Sequence, residues 1–535
     1  MTASCPSLWR TFTGLRSGCA IGSCPFRFRS FFSTESSSAS PPVSRPAISH
    51  DALYHGPKKG DKVIVGVSGG VDSSVSALLL AQQDFDLEAV FMRNWATEDQ
   101  EGPSTVLSSP DSSPSLPFDQ STCTWREDYE SAQAVCRHLS NLPLRLLDFQ
   151  KEYWNAVFDP ALSAWGAGET PNPDVACNRY IKFGALMDRI LAQPGPSGQT
   201  VWLATGHYGR LRLNPVLSPD GKRSVQLLRA VDPVKDQSYY LSSVPASRLE
   251  RAHFPIGHLL KSEVRDIARR FDLPTASRKE SMGLCFVGEH KPRAGPSSEG
   301  APEKRGMQGN PGPFAKFLDS YLDSSSGPLV SPSGEILGQH SGLHTLTIGQ
   351  SARIPGKRER WYVAKKPRKG QVRPESVAIS GGSVGSAPIS QQDPLEDDNA
   401  VLVVPGKDHP LLQCRRALVH DFHWIAGHPP LEASSTTAIR AWTQVRHRQK
   451  AVRCLVEIES GDRQSMNTDQ IHVVFPESVC AVAPGQVLAL WADTATPGQA
   501  DVGARPEDDV AQNEANTVCL GSGTIADVWT MGEVG

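Results

Sequence analysis

The amino-acid sequence predicts an α/β protein in which an N-terminal parallel-sheet domain is followed by small β-barrel domains. Between residues 62 and 275, short apolar runs rich in β-branched residues alternate with segments of helical periodicity. From Gly334 onward, short runs of alternating polarity are instead broken by Gly, Pro and Asp. The chain has 535 residues, which is enough for several domains with sizeable cores.

The elements of each region follow from these patterns. Strands of the parallel sheet are predicted at 63–67, 87–92, 144–149 and 201–205, and helices at 73–80, 125–139, 151–164, 181–191 and 254–271. Later strands are predicted at 344–348, 361–365, 400–404, 438–445, 452–458 and 486–491. The predicted regions are 1–46, 47–275, 276–398 and 399–535, with loop or low-complexity insertions at 97–122, 290–311 and 367–398. Because parallel strands end at one edge of a sheet, we expect ligands near Met92, Gly206 and the turn 66–73.

The composition excludes several classes of protein. A hydrophobic content of 39% and a charged content of 21% are typical of a soluble globular protein, and a net charge of -3 means that any RNA-binding surface must be a local patch. The 11 cysteines include no CxxC pair, which argues against a zinc ribbon and a secreted disulfide framework, and no metal ligand set is predicted. No apolar run approaches the ~20 residues of a membrane span.

The first 34 residues have the composition of a mitochondrial transit peptide. They contain Arg10, Arg16, Arg27 and Arg29 and frequent serines, but no acidic residue. A Pro/Ser-rich spacer follows at 36–46. The sequence therefore predicts a mitochondrial matrix protein, with a merely disordered tail as the alternative.

The segment KVIVGVSGGVDSSVSALLL, residues 62–80, predicts an anion-binding site. A buried strand leads into Gly69 and Gly70, and a helix starts directly after them. Backbone N–H groups and the helix dipole favour negative charge at such a turn. No lysine follows Gly70, so this is not the common P-loop. SGGVDS resembles the PP-loop of ATP pyrophosphatases, whose domain is adenine nucleotide alpha hydrolase-like; the alternative is an ordinary βα turn.

Two cysteines lie in loops suited to reactive thiols. Cys177 follows the proline-stiffened TPNPD segment and precedes a predicted helix, where the helix dipole and Arg179 would lower the thiol pKa. Cys285 lies in a Gly-containing loop after Arg278 and Lys279. A small buried core residue is the alternative for each.

The whole set of motifs resembles the tRNA-specific 2-thiouridylases, as a mitochondrial member. SGGVDSS, FMRNW, TPNPDVACNRYIKFGAL, ATGHYGR, KDQSYY, GLCFVGE, LGQHSGLHTLTIGQ, AVAPGQ and CLGSG occur in the order found in that family. The resemblance covers residues 62–525 apart from the insertions. It implies ATP, accompanied by Mg²⁺, bound by Gly66, Val67, Ser68, Gly69, Gly70, Val71, Asp72 and Ser73 and bordered by Met92 and Gly206.

The resemblance further implies that the wobble uridine of a tRNA is adenylated at its C2 carbonyl and then receives sulfur. Cys285 would carry a persulfide from a cysteine desulfurase relay, and Cys177 would attack it and close a transient Cys177–Cys285 disulfide. Asp174 would accept a proton. The implied substrates are tRNAs for Lys, Glu and Gln. The implied contacts to the target base or the tRNA are Asn172, Pro173, Asp174, Lys235, Asp236, Gln237, Arg446 and His447.

Five positions depart from the family pattern. Glu169 replaces an arginine near the base site, and His447 replaces a tyrosine. Ser351 stands where a basic residue is usual. Glu280 and Met282 replace an aspartate and a threonine before Cys285, which keeps the turn but loses the shorter carboxylate. These departures affect the implied tRNA contacts rather than the ATP site.

Two other functions fit parts of the sequence. One is a PP-loop ligase that adenylates a small molecule, which does not need two loop cysteines. The other is a non-catalytic tRNA-binding protein, against which the intact Ser68, Asp72, Ser73, Cys177 and Cys285 argue.

Overall fold

The computed structural model describes residues 53–95, 125–192, 199–216, 221, 223–279, 313–323, 325–367, 399–430, 438–458, 470–493 and 517–533. All of them belong to one compact unit, residues 51–535. The predicted transit peptide and spacer, the insertions at 97–122 and 290–311, and Cys285 with Glu280 and Met282 lie outside the described residues. The insertion predicted at 367–398 lies outside them from residue 368 onward.

The N-terminal region forms the predicted parallel sheet. Its strands are β1 (Lys62–Gly66), β2 (Asp86–Arg93), β3 (Leu144–Asp148), β4 (Val201–Ala204) and, after a hairpin of β5 (Arg210–Leu213) and β6 (Val225–Leu228), β7 (Ala252–His253). The strand order is β3-β2-β1-β4-β7, and all neighbours are parallel. The β-branched Val63 and Val65 of β1 are completely buried at the centre of the sheet, as their run of apolar residues predicts.

Ten α-helices accompany the sheets in the described residues. They are α1 (Val71–Ala81), α2 (Trp125–His138), α3 (Gln150–Tyr153), α4 (Asp159–Gly166), α5 (Pro173–Ala176), α6 (Met187–Leu191), α7 (Ser238–Leu241), α8 (Ala246–Leu249), α9 (Lys261–Arg270) and α10 (Pro313–Asp319). Two π-helical segments interrupt them. Trp154–Phe158 joins α3 to α4, and Cys177–Leu186 joins α5 to α6.

The helix predicted at 254–271 is wrong over its first part, because α9 begins only at Lys261. A side chain at Gly257 would lie 1.7 Å from the carbonyl oxygen of Gly209. This segment therefore packs closely against the backbone at Gly209 and does not form a helix. The helix then starts where the Glu263 carboxylate accepts a hydrogen bond from the Leu260 N–H at 2.6 Å.

The middle region is a five-stranded sheet. Its strands are β8 (Gly327–Val330), β9 (Ile336–His340), β10 (Ser351–Ala352), β11 (Trp361–Lys365) and β12 (Val401–Pro405), in the order β10-β11-β12-β8-β9. Strand β12 lies beyond the boundary predicted at residue 399 and pairs with β8. The strand predicted at 344–348 is wrong: Leu343–Thr345 is a 3₁₀ turn, in which the Thr345 hydroxyl donates to the Gly342 carbonyl at 2.6 Å.

The C-terminal region is a closed six-stranded antiparallel barrel. Its strands are β13 (Gln413–Trp424), β14 (Ala438–Gln444), β15 (Val452–Ile458), β16 (Gln470–Cys480), β17 (Val487–Asp493) and β18 (Thr517–Thr530). The order β13-β16-β15-β14-β17-β18 closes through pairing of β13 with β18. The β5–β6 hairpin extends this sheet, because Leu228 pairs with Val518 of β18. The predicted fold class is thus confirmed.

The described helices and side chains also limit what the fold contains. Among these residues no helix has the length and apolar character that crossing a bilayer requires. The same residues hold no group of three His, Cys, Asp or Glu side chains arranged to bind a metal ion.

Candidate active site

The glycine turn between β1 and α1 has the geometry of an anion site. Gly69 has a φ of +79°, and a side chain there would lie 2.3 Å from the Asp128 carbonyl oxygen. A side chain at Gly206, just after β4, would lie 2.7 Å from the Ser73 nitrogen. Both positions therefore require glycine, and the two sheet loops approach the N-terminus of α1 closely. Such a helix start favours a phosphate.

Serine hydroxyls and one arginine hold this turn in shape. Ser73 Oγ accepts from the Ser68 N–H and donates to the Gly70 carbonyl, both at 3.1 Å. Arg278 Nη1 donates to the Gly69 carbonyl at 2.7 Å, and Nη2 donates to the Asp128 carboxylate at 2.5 Å. The turn is therefore preorganised, which lowers the cost of binding a ligand.

The Asp72 carboxylate, at the first turn of α1, is engaged by two groups. Lys261 Nζ lies 2.6 Å from Oδ1 and 2.8 Å from Oδ2, and the Tyr208 hydroxyl donates to Oδ1 at 2.9 Å. Lys261 therefore adds a cation to the site, which the sequence analysis did not single out. Its position at the start of α9 gave no local sign of this role.

Cys177 lies on the helical run that follows the TPNPD segment. It comes after α5, one turn into the helix rather than before it, and it is 5% exposed. Arg179 Nη1 donates to the Ser243 carbonyl at 3.1 Å, and its guanidinium lies 5.2 Å from the Tyr180 ring centre. The role predicted for Arg179 in lowering the thiol pKa stays a prediction, since these contacts occupy its charged end.

Lys182 connects this helix to the sheet edge. Its Nζ lies 3.4 Å from His207 Nε2, and His207 Nδ1 lies 2.7 Å from Thr205 Oγ1. Because an ammonium only donates, Nε2 accepts and Nδ1 carries the proton that is donated to Thr205. Burial, together with the Lys182 charge, holds the pKa of His207 well below its ordinary value, so the ring is neutral.

Asp174 is the acidic residue of this group. Burial raises the pKa of Asp174 to about 6, while the positive charge of Lys182 opposes that rise. A carboxyl group that titrates near neutral pH is suited to accept a proton. Asn178, one turn further, donates to the Asp174 backbone carbonyl at 3.0 Å. The helix thus places Asp174, Cys177 and Lys182 within three turns.

The TPNPD segment also faces the C-terminal barrel. Tyr239 hydrogen-bonds Asn172 and donates its hydroxyl to the Val487 carbonyl at 2.8 Å. The Tyr240 ring lies 4.5 Å from the His447 ring, with 34° between the planes. Burial, followed by the Asp174 charge, raises the pKa of Tyr240 to about 12. The structure therefore brings the predicted base contacts Asn172, Asp174 and His447 into one region.

The predicted contacts at Asp236 and Gln237 are turned inward. Asp236 is buried; its carboxylate pairs with Arg229 at 3.1 Å and accepts from the Ser238 hydroxyl at 2.8 Å. Gln237 Oε1 accepts from the Tyr208 N–H at 2.9 Å. Their side chains shape the loop through these bonds, and a tRNA contact by either stays a prediction.

Comparisons with known proteins agree with this arrangement. The family model for the tRNA methyl transferase HUP domain matches residues 61–289. The model for the tRNA methyl transferase PRC-barrel domain matches residues 315–372, and that for the aminomethyltransferase beta-barrel domain matches residues 415–502. The three matches follow the parallel sheet, the middle sheet and the barrel in order.

Similar proteins cover most of the chain. A tRNA-specific 2-thiouridylase of Proteus mirabilis is 35% identical over 433 residues, which are 81% of this chain and 94% of that protein. The chain belongs to the tRNA-specific 2-thiouridylase family. Further proteins with this family name, from Vibrio campbellii and Cupriavidus pinatubonensis, are 35% and 33% identical and cover 81% of the chain. The covered shares of those two proteins are 93% and 95%.

In this 2-thiouridylase a basic cleft lies between the N-terminal region and the C-terminal barrel. It has a volume of about 310 Å³ and is lined by residues of 229–239 and 444–451. Arg448, Lys450 and His447 contribute from the turn after β14. Arg446 instead donates to the carbonyls of Cys480 and Ala481, at 2.7 and 2.9 Å. The sequence analysis named Arg446 and His447 and missed Arg448 and Lys450, although the run RHRQK signals a basic turn.

Proposed function

We propose that this chain is an ATP-dependent tRNA 2-thiouridylase of the mitochondrial matrix. The observation that carries the proposal is the contact between Lys182 and His207. It joins the ATP-side loop, where Gly206 packs on α1, to the helix that bears Asp174 and Cys177. One site can therefore activate a base and expose it to a thiol, which a PP-loop turn alone does not imply.

The residues on the nucleotide side bind and orient ATP. The turn 66–73 would receive the phosphates, with the helix N-terminus of α1 facing negative charge. Met92, which follows the buried part of β2, and Gly206 would border the nucleotide. Mg²⁺ would accompany ATP and offset phosphate charge. Asp72 is the one carboxylate in residues 66–73, and Lys261 and Tyr208 already engage it.

The acceptor is the wobble uridine, which must leave the anticodon stack to reach the site. Its C2 oxygen attacks the α-phosphorus of ATP, a new P–O bond forms, and the bond to pyrophosphate breaks. The N3 proton of uridine is acidic, and Asp174 would accept it as the oxygen attacks. Asn172 and Pro173 would hold the base beside this carboxylate.

The sulfur step uses two cysteines. The terminal sulfur of a Cys285 persulfide attacks C2, and AMP leaves with the former carbonyl oxygen. The Cys177 thiolate attacks Sγ of Cys285, the persulfide S–S bond breaks towards the sulfur now on C2, and a Cys177–Cys285 disulfide forms. A dithiol reductant then restores both thiols. The persulfide would be supplied by a cysteine desulfurase relay.

The tRNA would lie across the cleft of Arg448 and Lys450, whose charges match phosphates. His447, already against Tyr240, offers a ring for stacking in place of the family's tyrosine. Lys235 would add a phosphate contact. The tRNAs for Lys, Glu and Gln are the proposed substrates, as the family resemblance implies.

The test is mass spectrometry of mitochondrial tRNA from a strain that lacks this gene, with the plasmid-borne chain as rescue. We expect 2-thiouridine to disappear and to return with the wild-type chain but not with Cys177→Ser or Cys285→Ser. Purified variants should still bind ATP and release pyrophosphate when tRNA is added. Cys414→Ser is the matched control, because its thiol is buried within the barrel.

Three results would contradict all or part of the proposal. Unchanged 2-thiouridine in the deletion strain would favour a non-catalytic RNA-binding role. Pyrophosphate release without tRNA, stimulated by a small acceptor, would favour a ligase. Full activity in either cysteine variant would exclude the two-cysteine step while leaving adenylation in place.

A further inference from the structure

The cleft loop, residues 229–237 between β6 and α7, borders the basic cleft. Val231 and Pro233 are among the residues that line the cleft, whereas the side chain between them, Asp232, is only 8% exposed. A carboxylate buried to this degree needs hydrogen-bond donors around it. The donors that Asp232 finds belong to two segments of the chain that are distant in sequence.

Among the described residues, the Asp232 carboxylate accepts hydrogen bonds from three backbone N–H groups. Its Oδ1 accepts from Val234 at 2.9 Å and from Lys235 at 3.1 Å, which closes a turn within the cleft loop. Its Oδ2 accepts from Lys261 at 2.8 Å. Lys261 is the first residue of α9, where the helix dipole favours a negative charge. One carboxylate therefore fixes the backbone of two lysines.

These two lysines face different ligands. The Lys261 ammonium reaches the glycine turn, where it lies 2.6 and 2.8 Å from the carboxylate oxygens of Asp72. Lys235 is the residue to which a phosphate contact with tRNA is assigned above. Because the position of a backbone limits where its side chain can reach, Asp232 bears on both the ATP side and the RNA side of the site.

A second contact holds the cleft loop against the same turn. Gln237 Oε1 accepts from the Tyr208 N–H at 2.9 Å, and the Gln237 N–H donates to the Tyr208 carbonyl at 2.8 Å. The Tyr208 hydroxyl in turn donates to Asp72 Oδ1 at 2.9 Å. The contacts through Lys261 and through Tyr208 both end on Asp72, and Asp232 governs the one that carries a positive charge.

We propose that Asp232 is a positioning residue for both ligands. Through Oδ2 it sets Lys261 against Asp72 at the ATP turn, and through Oδ1 it sets the turn that bears Lys235. The inference rests on the proposed function, because it concerns the same ATP and tRNA sites. It predicts that the two effects can be separated, since an amide keeps one acceptor oxygen and loses the other.

Asp232→Asn should affect ATP and spare tRNA. The amide oxygen should stay with the Val234 and Lys235 donors, because the flipped amide would place its NH₂ against two N–H groups. The bond to the Lys261 N–H is then lost. We expect the Kd for ATP, measured by calorimetry without tRNA, to rise about tenfold, with an unchanged KM for tRNA in pyrophosphate release. Loss of a negative charge alone would tighten ATP binding, so weaker binding reports a displaced Lys261.

The matched control is Asp266→Asn. Asp266 lies on the same helix, but it is exposed and pairs with Arg269 at 2.7 Å. This variant should bind ATP and tRNA as the wild type does. Asp232→Ala removes both acceptor oxygens, so it should weaken ATP binding as Asp232→Asn does and should also raise the KM for tRNA.

A double variant tests whether Asp232 acts through Lys261. Once Lys261→Met has removed the ammonium, its position no longer matters. Asp232→Asn/Lys261→Met should therefore have a Kd for ATP within about twofold of that of Lys261→Met alone, whereas independent effects would multiply. This comparison and Asp232→Asn, whose turn is intact, decide the ATP effect without relying on the alanine variant.

Three outcomes would overturn the inference. One is a Kd for ATP in Asp232→Asn that equals or falls below the wild-type value. Another is a further tenfold loss in the double variant, which would show that Asp232 does not act through Lys261. The third is a wild-type KM for tRNA in Asp232→Ala. A wild-type chain that binds no ATP, or releases no pyrophosphate with tRNA, would instead refute the proposed function.

Discussion

Replacing Asp174 by asparagine should stabilise the protein while abolishing its activity. Burial raises the pKa of this carboxyl from 3.8 to about 6. Folding with an ionised Asp174 therefore costs free energy. Raising the pKa from 3.8 to about 6 corresponds to about 3 kcal/mol. The same burial that suits Asp174 to the proposed proton transfer therefore reduces the free energy of unfolding.

The size of this gain depends on pH within a defined window. The folded-state pKa is raised, so the penalty is fully present above about pH 6 and shrinks as the pH falls towards 3.8. Asp174→Asn should therefore gain about 3 kcal/mol at pH ~7.5, and about 1 kcal/mol near pH 4.5. Below both values the gain from removing the charge should vanish.

Urea unfolding at both pH values measures this gain, and tRNA-dependent pyrophosphate release measures activity. Asp188→Asn is the control, because its side chain is 60% exposed and pairs with Arg248 at the surface. We expect the control to change the free energy of unfolding by less than about 0.5 kcal/mol. A gain for Asp174→Asn that is the same at both pH values, or no gain at all, would refute the reasoning.

Three further predictions concern the neighbouring groups. Gly206→Ala should weaken ATP binding by at least about tenfold, as measured by calorimetry, because the added carbon would press on the first turn of α1. Lys261→Met should lower ATP affinity, since Asp72 would then face the phosphates without its cation; unchanged affinity would contradict this. His447→Ala should raise the KM for tRNA and leave ATP binding intact, whereas His447→Tyr should preserve the contact with Tyr240 and keep the KM low.

The sequence predicted the local backbone of the turn between β1 and α1, because that turn depends on neighbours in the chain. A buried strand, two glycines and a helix start are local features, and Gly69 indeed has the positive φ that only glycine adopts readily. The same holds for the strands of the parallel sheet, whose apolar runs leave little choice of structure.

The sequence did not predict the contacts between distant segments. Lys182 and His207 meet because a helix packs against the end of β4, and neither residue carries a local mark of that contact. The inward turn of Asp236 depends on Arg229, which is itself placed by the barrel residue Gln444 at 3.2 Å. The helix predicted to begin at Ile181 begins at Pro173 and continues through a π-helical segment at Cys177–Leu186, which periodicity alone does not reveal.

The pairing of the β5–β6 hairpin with β18 has a consequence for synthesis. Residues 210–228 are synthesised long before β18, the last strand of the described residues. Leu228 of β6 can pair with Val518 only after β18 has been made. Arg229 likewise cannot contact Trp491 until that residue has been synthesised; in the folded chain its guanidinium lies 4.1 Å from the Trp491 ring centre. Contacts so distant in sequence slow folding and leave strand edges open to aggregation. A nascent chain stopped after Asp493 would keep the edge of β6 uncovered, so chaperones should hold this protein until its final residues emerge.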